Sequence, residues 1–483
     1  MIGGEFVHTL NANTFYTVSA NYIHTKYRTP FSAFRDGSFV EDGVFNVVSA
    51  TDNNGRVVNQ GFVQQCFGGN SDINGDGETL GFCVGQEPFG YNGQGGNFRG
   101  TNETTGGHWN KARDSTSVGV FTGRFDLTSQ VNRFLSIKTG AEIIATDFNS
   151  NTSHVNLELV GPFPIWTQPW NRNPIQGAAY AQTKLEFGGM IANLGVRMDY
   201  FDPNSEWWQF SAYDSALRGS SEALNDAVEL AQTDSQIEFS PRLGISFPIT
   251  DNSKLYFNYG HFRQQLRNDQ IYGVQESVGG GIDVIGNPDH PMPKTVAYEL
   301  GYDQNLFDQF LVRVSGFYRD VRDQPRGVRF QSLGDVVTYS TFKPWNYEDI
   351  RGAEFTLTKN RGRWLRGFIN YTFLTSKDGN FGFAEFDENQ FDQRNYLRTS
   401  TDFRINDPVA EPFARFNLTF LTPPDFKQDV AGGLLSNWRV NLLGEWRKGQ
   451  SFIWSGGASS FPELDNNVDW RNYWNFDLRF TKH

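Results

Sequence analysis

Residues 240–264, SPRLGISFPITDNSKLYFNYGHFRQ, decide how this chain is read. Two alternating segments flank a short polar turn. In the first, Leu243, Ile245 and Phe247 point one way and Arg242, Gly244 and Ser246 the other. In the second, Leu255, Phe257 and Tyr259 oppose Tyr256, Asn258 and Gly260. Successive side chains of a strand leave on opposite faces, so period two with one apolar and one polar side marks a strand held between two media. The turn at 250–253 is short and the connection from about 265 to 293 is long. A third alternating segment then begins inside GNPDHPMPKTVAYELG (286–301). Short turn, long loop, short turn is the pattern of an antiparallel barrel in an outer membrane.

The pattern extends over the rest of the chain. Near 14–27, Tyr16, Val18, Ala20 and Tyr22 oppose Thr17, Ser19 and Asn21, and comparable pairs recur to 475–480. About fourteen strands are expected, with residues 1–12 as the tail of another. The fold class is all-β, an antiparallel transmembrane β-barrel with short periplasmic turns and long extracellular loops. The chain reads as a single domain over 1–483. A Gly/Asn-rich loop insertion occupies 28–115, and connections this long are usually functional. Segments 323–348 and 376–411 read as loops, 220–232 as a helix, and 423–436 as a turn longer than its partners. Tyr200, Trp364, Trp438 and Trp474 stand at strand ends, where aromatic girdles form. Luminal Arg124, Lys138, Glu142, Lys184, Glu186, Arg197, Glu299 and Arg313 are expected to pair with one another or to face a plug.

Composition narrows the classes. Hydrophobic residues make up 38% of the 483, yet there are 50 Gly and 44 Phe. No apolar run approaches the roughly 20 residues of a membrane helix. A mean hydropathy of −0.51 leaves a barrel open, because alternation averages the membrane signal away. The formal charge is −12, from 54 acidic against 42 basic residues, the wrong sign for a nucleic-acid partner. The opening MIGGEFVHTL has neither the basic nor the apolar region of a signal peptide.

Few residues suggest chemistry. The seven histidines are scattered without metal-ligand spacing, and there is no HExxH, GxSxG or P-loop, so no catalytic residue is assigned. His261 and His290 are given surface positions. Cys66 and Cys83, the only cysteines, are expected to form a disulfide that staples the 28–115 insertion in an oxidising compartment, against the alternative of two free thiols. Between them, Asp72, Asn74 and Asp76 at alternate positions, followed by Gly77 and Glu78, resemble the first half of a calcium loop. Cys83 stands where the bidentate Glu would be, so a calcium site and a hydrated Asx-rich turn are both open. Trp166, Trp170, Trp207 and Trp208 fall in loops. They are candidates for substrate contact, against the alternative that they pack loops onto the barrel rim.

SPRLGISFPITDNSKLYFNYGHFRQ, IGNPDHPMPKTVAYELG, RGAEFTLTK and NYTF together resemble TonB-dependent outer-membrane transporters. The resemblance is to the Oar-like group of Bacteroidota and relatives, whose precursors carry a carboxypeptidase-regulatory-like domain, and it covers the chain from about residue 14. It implies a barrel of 22 strands in a Gram-negative outer membrane, filled by an amino-terminal plug that couples to the TonB complex. It also implies active uptake of a large nutrient captured by the loops. The partners implied are outer-membrane lipid, TonB through the plug, an extracellular nutrient ligand and, as a further candidate, a surface lipoprotein. Neither the plug nor a terminal aromatic residue is found, so the chain is expected to be an internal fragment of a longer barrel protein. Adhesion without transport is the second reading, and an outer-membrane enzyme the third.

Overall fold

The computed structural model describes residues 1–27, 50–51, 57–58, 112–114, 116–155, 165–276, 281–400, 409–427, 429–430, 433–452, 454 and 468–482. Fifteen long strands form one curved wall. They are β1 (Ile2–Asn11), β2 (Thr14–Lys26), β3 (Ser117–Asn132), β4 (Leu135–Val155), β5 (Ile175–Phe187), β6 (Met190–Asp202), β7 (Gln236–Thr250) and β8 (Ser253–Arg263). The wall continues as β9 (Lys294–Leu306), β10 (Phe310–Gln331), β11 (Thr338–Lys359), β12 (Leu365–Asn380), β13 (Phe413–Leu421), β14 (Trp438–Arg447) and β15 (Tyr473–Lys482). Each strand pairs antiparallel with the next in sequence, and among the described residues β1 and β15 each pair on one side only. Between its strands such a wall satisfies the backbone groups, and pairing the outer edges of β1 and β15 would complete the closure that hydrocarbon requires.

One end of the wall carries the short turns. Gly188 and Gly189 make the β5–β6 turn with φ of +53° and +89°, a region that glycine enters without a Cβ penalty. Phe307 and Asp308, both at φ +54°, turn β9 into β10, and the Asn305 side-chain amide donates to Asp308 at 3.0 Å. The longer 423–436 connection also lies at this end. There Phe426 meets Trp364 edge-on at 4.8 Å, and the Trp438 indole N–H donates to the Leu434 carbonyl at 2.6 Å.

The other end carries the long loops, and there the structure departs from the sequence reading. Segment 323–348 is a hairpin, not a loop: β10 and β11 run past the wall to Gln331 and Thr338, with register shifts between Val321, Gln324 and Arg326. The expected helix at 220–232 is only α1 (Ser221–Ala227), because Leu230–Gln232 turns away to pair with Glu206–Trp208. Ser220 caps α1 by accepting from the Ala223 amide. Two further helices follow in later loops, α2 (Asn268–Tyr272) and α3 (Gln390–Thr399). The count of about fourteen strands becomes fifteen, since residues 2–11 form a full strand.

Candidate functional site

The register sorts every wall residue onto one of two faces. From Ser19 the row runs through Arg124, Glu142, Ala178 and Asp199 to Glu238. From Tyr256 another runs through Gly301, Ser315 and Glu354 to Thr372. All eight charged residues expected in the lumen lie on this face. Their neighbours in sequence, such as Phe125, Ile143, Val196, Leu300 and Val314, lie on the other and are exposed. The wall is therefore apolar outside and charged inside, the reverse of a soluble globule.

Most interior charges are paired within or between strands. Arg124 meets Asp126 at 2.5 Å, and the Tyr180 hydroxyl donates to the same carboxylate at 2.5 Å. Lys184 meets Glu186 at 2.5 Å and Arg197 meets Asp199 at 2.7 Å. Arg313 reaches Asp303 at 2.9 Å, with Lys254 at 3.4 Å on the other side. Glu299 accepts from Tyr256 and Asn258. Lys138 and Glu142 face the interior without an ion pair among the described residues. A cavity of about 1260 Å³ runs along this face from β4 to β13, and of these side chains Lys138, Tyr180, Arg197, Asn258 and Glu299 line it. Asp126, Tyr180, Arg242, Asp303, Arg319 and Glu354 belong to the same face, as their parity with the expected luminal residues requires.

At the long-loop end the interior is covered by a folded cap with its own core. Trp207, Leu217 and Leu224 come from loop 203–235, Ile271, Tyr272 and Ile285 from loop 264–293, and Tyr339 from the β10–β11 hairpin. All are buried. Phe201, on the inward face of β6, is buried against them at 3% exposure. A smaller cavity separates interior residues Arg197 and Asp199 from loop residues Gln265 and Met292. The cap thus sits over the charged face, not beside the wall.

Specific polar contacts hold the cap together. The Glu276 carboxylate accepts from the Ser221 amide and hydroxyl at 2.7 and 2.6 Å, joining loop 264–293 to the start of α1. Gln236 accepts from the Met292 amide and donates to the His290 carbonyl. Two loops also cross the hairpin in opposite directions. Val284–Ile285 adds parallel to Ser340–Thr341 on the β11 edge, and Glu385–Asp387 adds parallel to Arg329–Gln331 on the β10 edge.

Burial tunes the cap's ionisable groups. It pushes the Tyr272 phenol far up, and this hydroxyl donates to the Pro203 carbonyl at 2.8 Å. His290 is a correction: expected at the surface, it is 3% exposed. Prolines at 288, 291 and 293 carry its loop back into the cap. Burial lowers its pKa, partly offset by its hydrogen bond to the Pro291 carbonyl. His261 keeps an outward position, with its ring 2.6 Å from the Tyr259 hydroxyl.

The candidate tryptophans separate. Trp207 is in the cap core and tilts against Trp208, whose indole donates to Asn225 at 2.7 Å. Trp170 stacks on Phe148 at 4.7 Å and lies 5.5 Å from Tyr272. Trp166 lies on the strand 165–172, paired with His154 through the backbone, and its side chain is outside the described residues. Cys66, Cys83, Asp72, Asn74, Asp76 and Glu78 also lie outside them.

A family model described as "TonB dependent receptor-like, beta-barrel" matches residues 4–482. The chain belongs to this family. Its members are receptors, not enzymes. Solved structures agree in fold. The copper transporter OprC matches at TM-score 0.50 and 12% identity, over 99% of this chain and 56% of its own. The siderophore receptor PiuA from Acinetobacter baumannii matches at 0.50 and 13%, over 99% and 56%. FpvAI, from its complex with pyocin S2, matches at 0.51 and 10%, over 99% and 48%. The chain spans about half the length of these structures. No curated protein matches it. For this receptor-like barrel, the charged face is the lumen and the long-loop end is the mouth.

Proposed function

We propose that the chain is the wall and outer mouth of an outer-membrane receptor that takes up a large nutrient in a TonB-coupled cycle. The plug that gates passage and contacts TonB would be supplied by sequence other than this chain. The observation that carries the reading is the separation of faces. Fifteen strands place charge on one side and apolar side chains on the other, so the wall divides lipid from a wet interior. Loop residues would capture the nutrient at the mouth, and Trp170 and Trp208, which are only partly buried, are its candidate contacts. A Cys66–Cys83 disulfide and calcium at Asp72, Asn74, Asp76 and Glu78 belong to the same proposal, as devices that order the 28–115 loop.

Within the family we assign the chain to the Oar-like group of Bacteroidota, on Gly286-Asn287-Pro288, Pro293-Lys294-Thr295 and Glu299-Leu300-Gly301. Part of this pattern serves the fold directly, since the Asn287 side chain donates to the Phe342 carbonyl at 2.9 Å and ties the loop to the hairpin. The experiment is deletion of the whole gene in the source bacterium, followed by uptake of labelled peptides, glycans and chelated metals with and without a proton-motive-force uncoupler. Loss of energy-dependent uptake of one class, restored by the gene, is expected. Surface binding that is lost while uptake of every class is unchanged would overturn transport in favour of adhesion.

A further inference from the structure

The outward face of strands β8 to β12 is not a uniform apolar belt. One row of directly paired residues runs Phe257, Leu300, Gly316, Ala353, Phe373. Two of the smallest side chains sit between large ones and leave a notch of about 770 Å³ in the wall. A Cβ built on Gly316 would meet only the Gly352 carbonyl, at 3.9 Å, so the floor of the notch is open space.

The row above it, toward the mouth, reads Tyr259, Tyr298, Tyr318, Arg351, Thr375. The three tyrosine rings are in sequence at 5.1 and 6.1 Å, as an interfacial girdle would place them. Arg351 lines the notch and is exposed. Among the described residues its guanidinium has no hydrogen bond or ion pair. One step higher, Lys377 stands opposite Asp349 without an ion pair, and Asp349 accepts from the Tyr318 hydroxyl. Asp320 is taken by Arg322 at 2.7 Å, and Arg322 stands opposite Lys294. Four cations thus surround two acids: Asp320 is paired with Arg322, and Asp349 accepts from Tyr318 through one oxygen while its other oxygen is buried without a partner.

We infer that this notch is a binding site for an anionic, phosphomonoester-bearing lipid of the outer leaflet. An acyl chain lies over Gly316 and Ala353 between Leu300 and Phe373, and the phosphate meets Arg351 and Lys377 at the girdle. Charge complementarity names the headgroup, and continuity with the lipid-facing wall names the occupant as a lipid. Arg351 provides a planar fork of donors suited to phosphate. The site rests on the outer-membrane reading above, but it makes a finer claim, since a general lipid belt requires neither an unpaired arginine nor a notch.

The test uses the chain folded in neutral detergent, mixed with equal mole fractions of lipid A and phosphatidylcholine. Retained lipid is counted by native mass spectrometry. Wild type is expected to retain lipid A preferentially. Arg351→Gln and Lys377→Gln should each lower that retention about fivefold, and Gly316→Leu, which fills the notch, should lower it comparably. Arg319→Gln, one residue away on the inner face, should not change it. Gel mobility before and after heating shows that each variant folds. If wild type retains both lipids equally, or if Arg351→Gln and Gly316→Leu retain lipid A as wild type does, the site is refuted while the barrel stands. If wild type retains no lipid of either kind, the membrane reading fails with it.

Discussion

Tyr272 offers the sharpest test of the cap as a folded unit. The residue ends α2 and is 1% exposed, and its hydroxyl is the partner of the Pro203 carbonyl in another loop. Tyr272→Phe preserves the ring and its contact with Trp170 while leaving a buried carbonyl unpartnered. An unsatisfied buried acceptor costs about 1–3 kcal/mol. If the cap opens as one unit, that cost appears as faster hydrogen exchange of its amides, by about 5- to 150-fold at RT near 0.6 kcal/mol. The reporters are the Gly273 amide, bonded to Asp269, the Gly286 amide, bonded to Gly273, and the Asn287 amide, bonded to Gln270. Amides of β9 and β10 in the wall should not change. Acceleration shared equally by cap and wall would show one cooperative unit. No acceleration at all would show that the Tyr272–Pro203 bond carries no stability.

Three further outcomes follow from the same geometry. Buried His290, faced by Asp323 and Lys343, has a pKa below its ordinary value, so the unfolded cap takes up the proton first. Stability present above about pH 6.5 should therefore fall as the solution is acidified below it, and His290→Asn should flatten that loss in cap exchange rates. Arg313→Gln removes one of two cations from Asp303, whose side chain is 6% exposed while that of Arg313 is 46% exposed. Discounted for that exposure, it should cost about 1–2 kcal/mol in a guanidinium melt, and less when combined with Asp303→Asn. Gly189→Val, at φ +89° with a Cβ 2.9 Å from Pro248, should cost about 1–3 kcal/mol, more than Gly188→Ala, whose Cβ meets nothing within 4 Å.

What can be read from sequence is what the membrane imposes. In β7 to β10 each residue faces either lipid or water, so alternation exposes both the strands and the interior charges. Above the membrane that constraint ends. The β10–β11 extension has protein or water on both sides, its alternation fades, and 323–348 reads as a loop. The crossing strands at 282–285 and 385–387 are only a few residues long, and although 282–285 also pairs locally with 274–276, the hairpin edges they join lie about fifty residues away in sequence, so no local pattern announces the crossing. For the same reason His290 and Trp207 look like loop-surface residues. Their burial depends on where three separate loops meet. Arg351 escapes notice for a different reason: a charge on the apolar face of RGAEFTLTK breaks the pattern and reads as a strand end.

The central claim is that the two faces of one strand meet two different media. Single spin labels at each position from Val312 to Tyr318 on β10, in a chain with Cys66 and Cys83 replaced by Ser and folded in lipid, test it most directly. Collision rates with oxygen should peak at 312, 314, 316 and 318, and those with a water-soluble nickel complex at 313, 315 and 317. A flat profile, or nickel accessibility at Val314 equal to that at Arg313, would contradict the barrel wall and the function built on it.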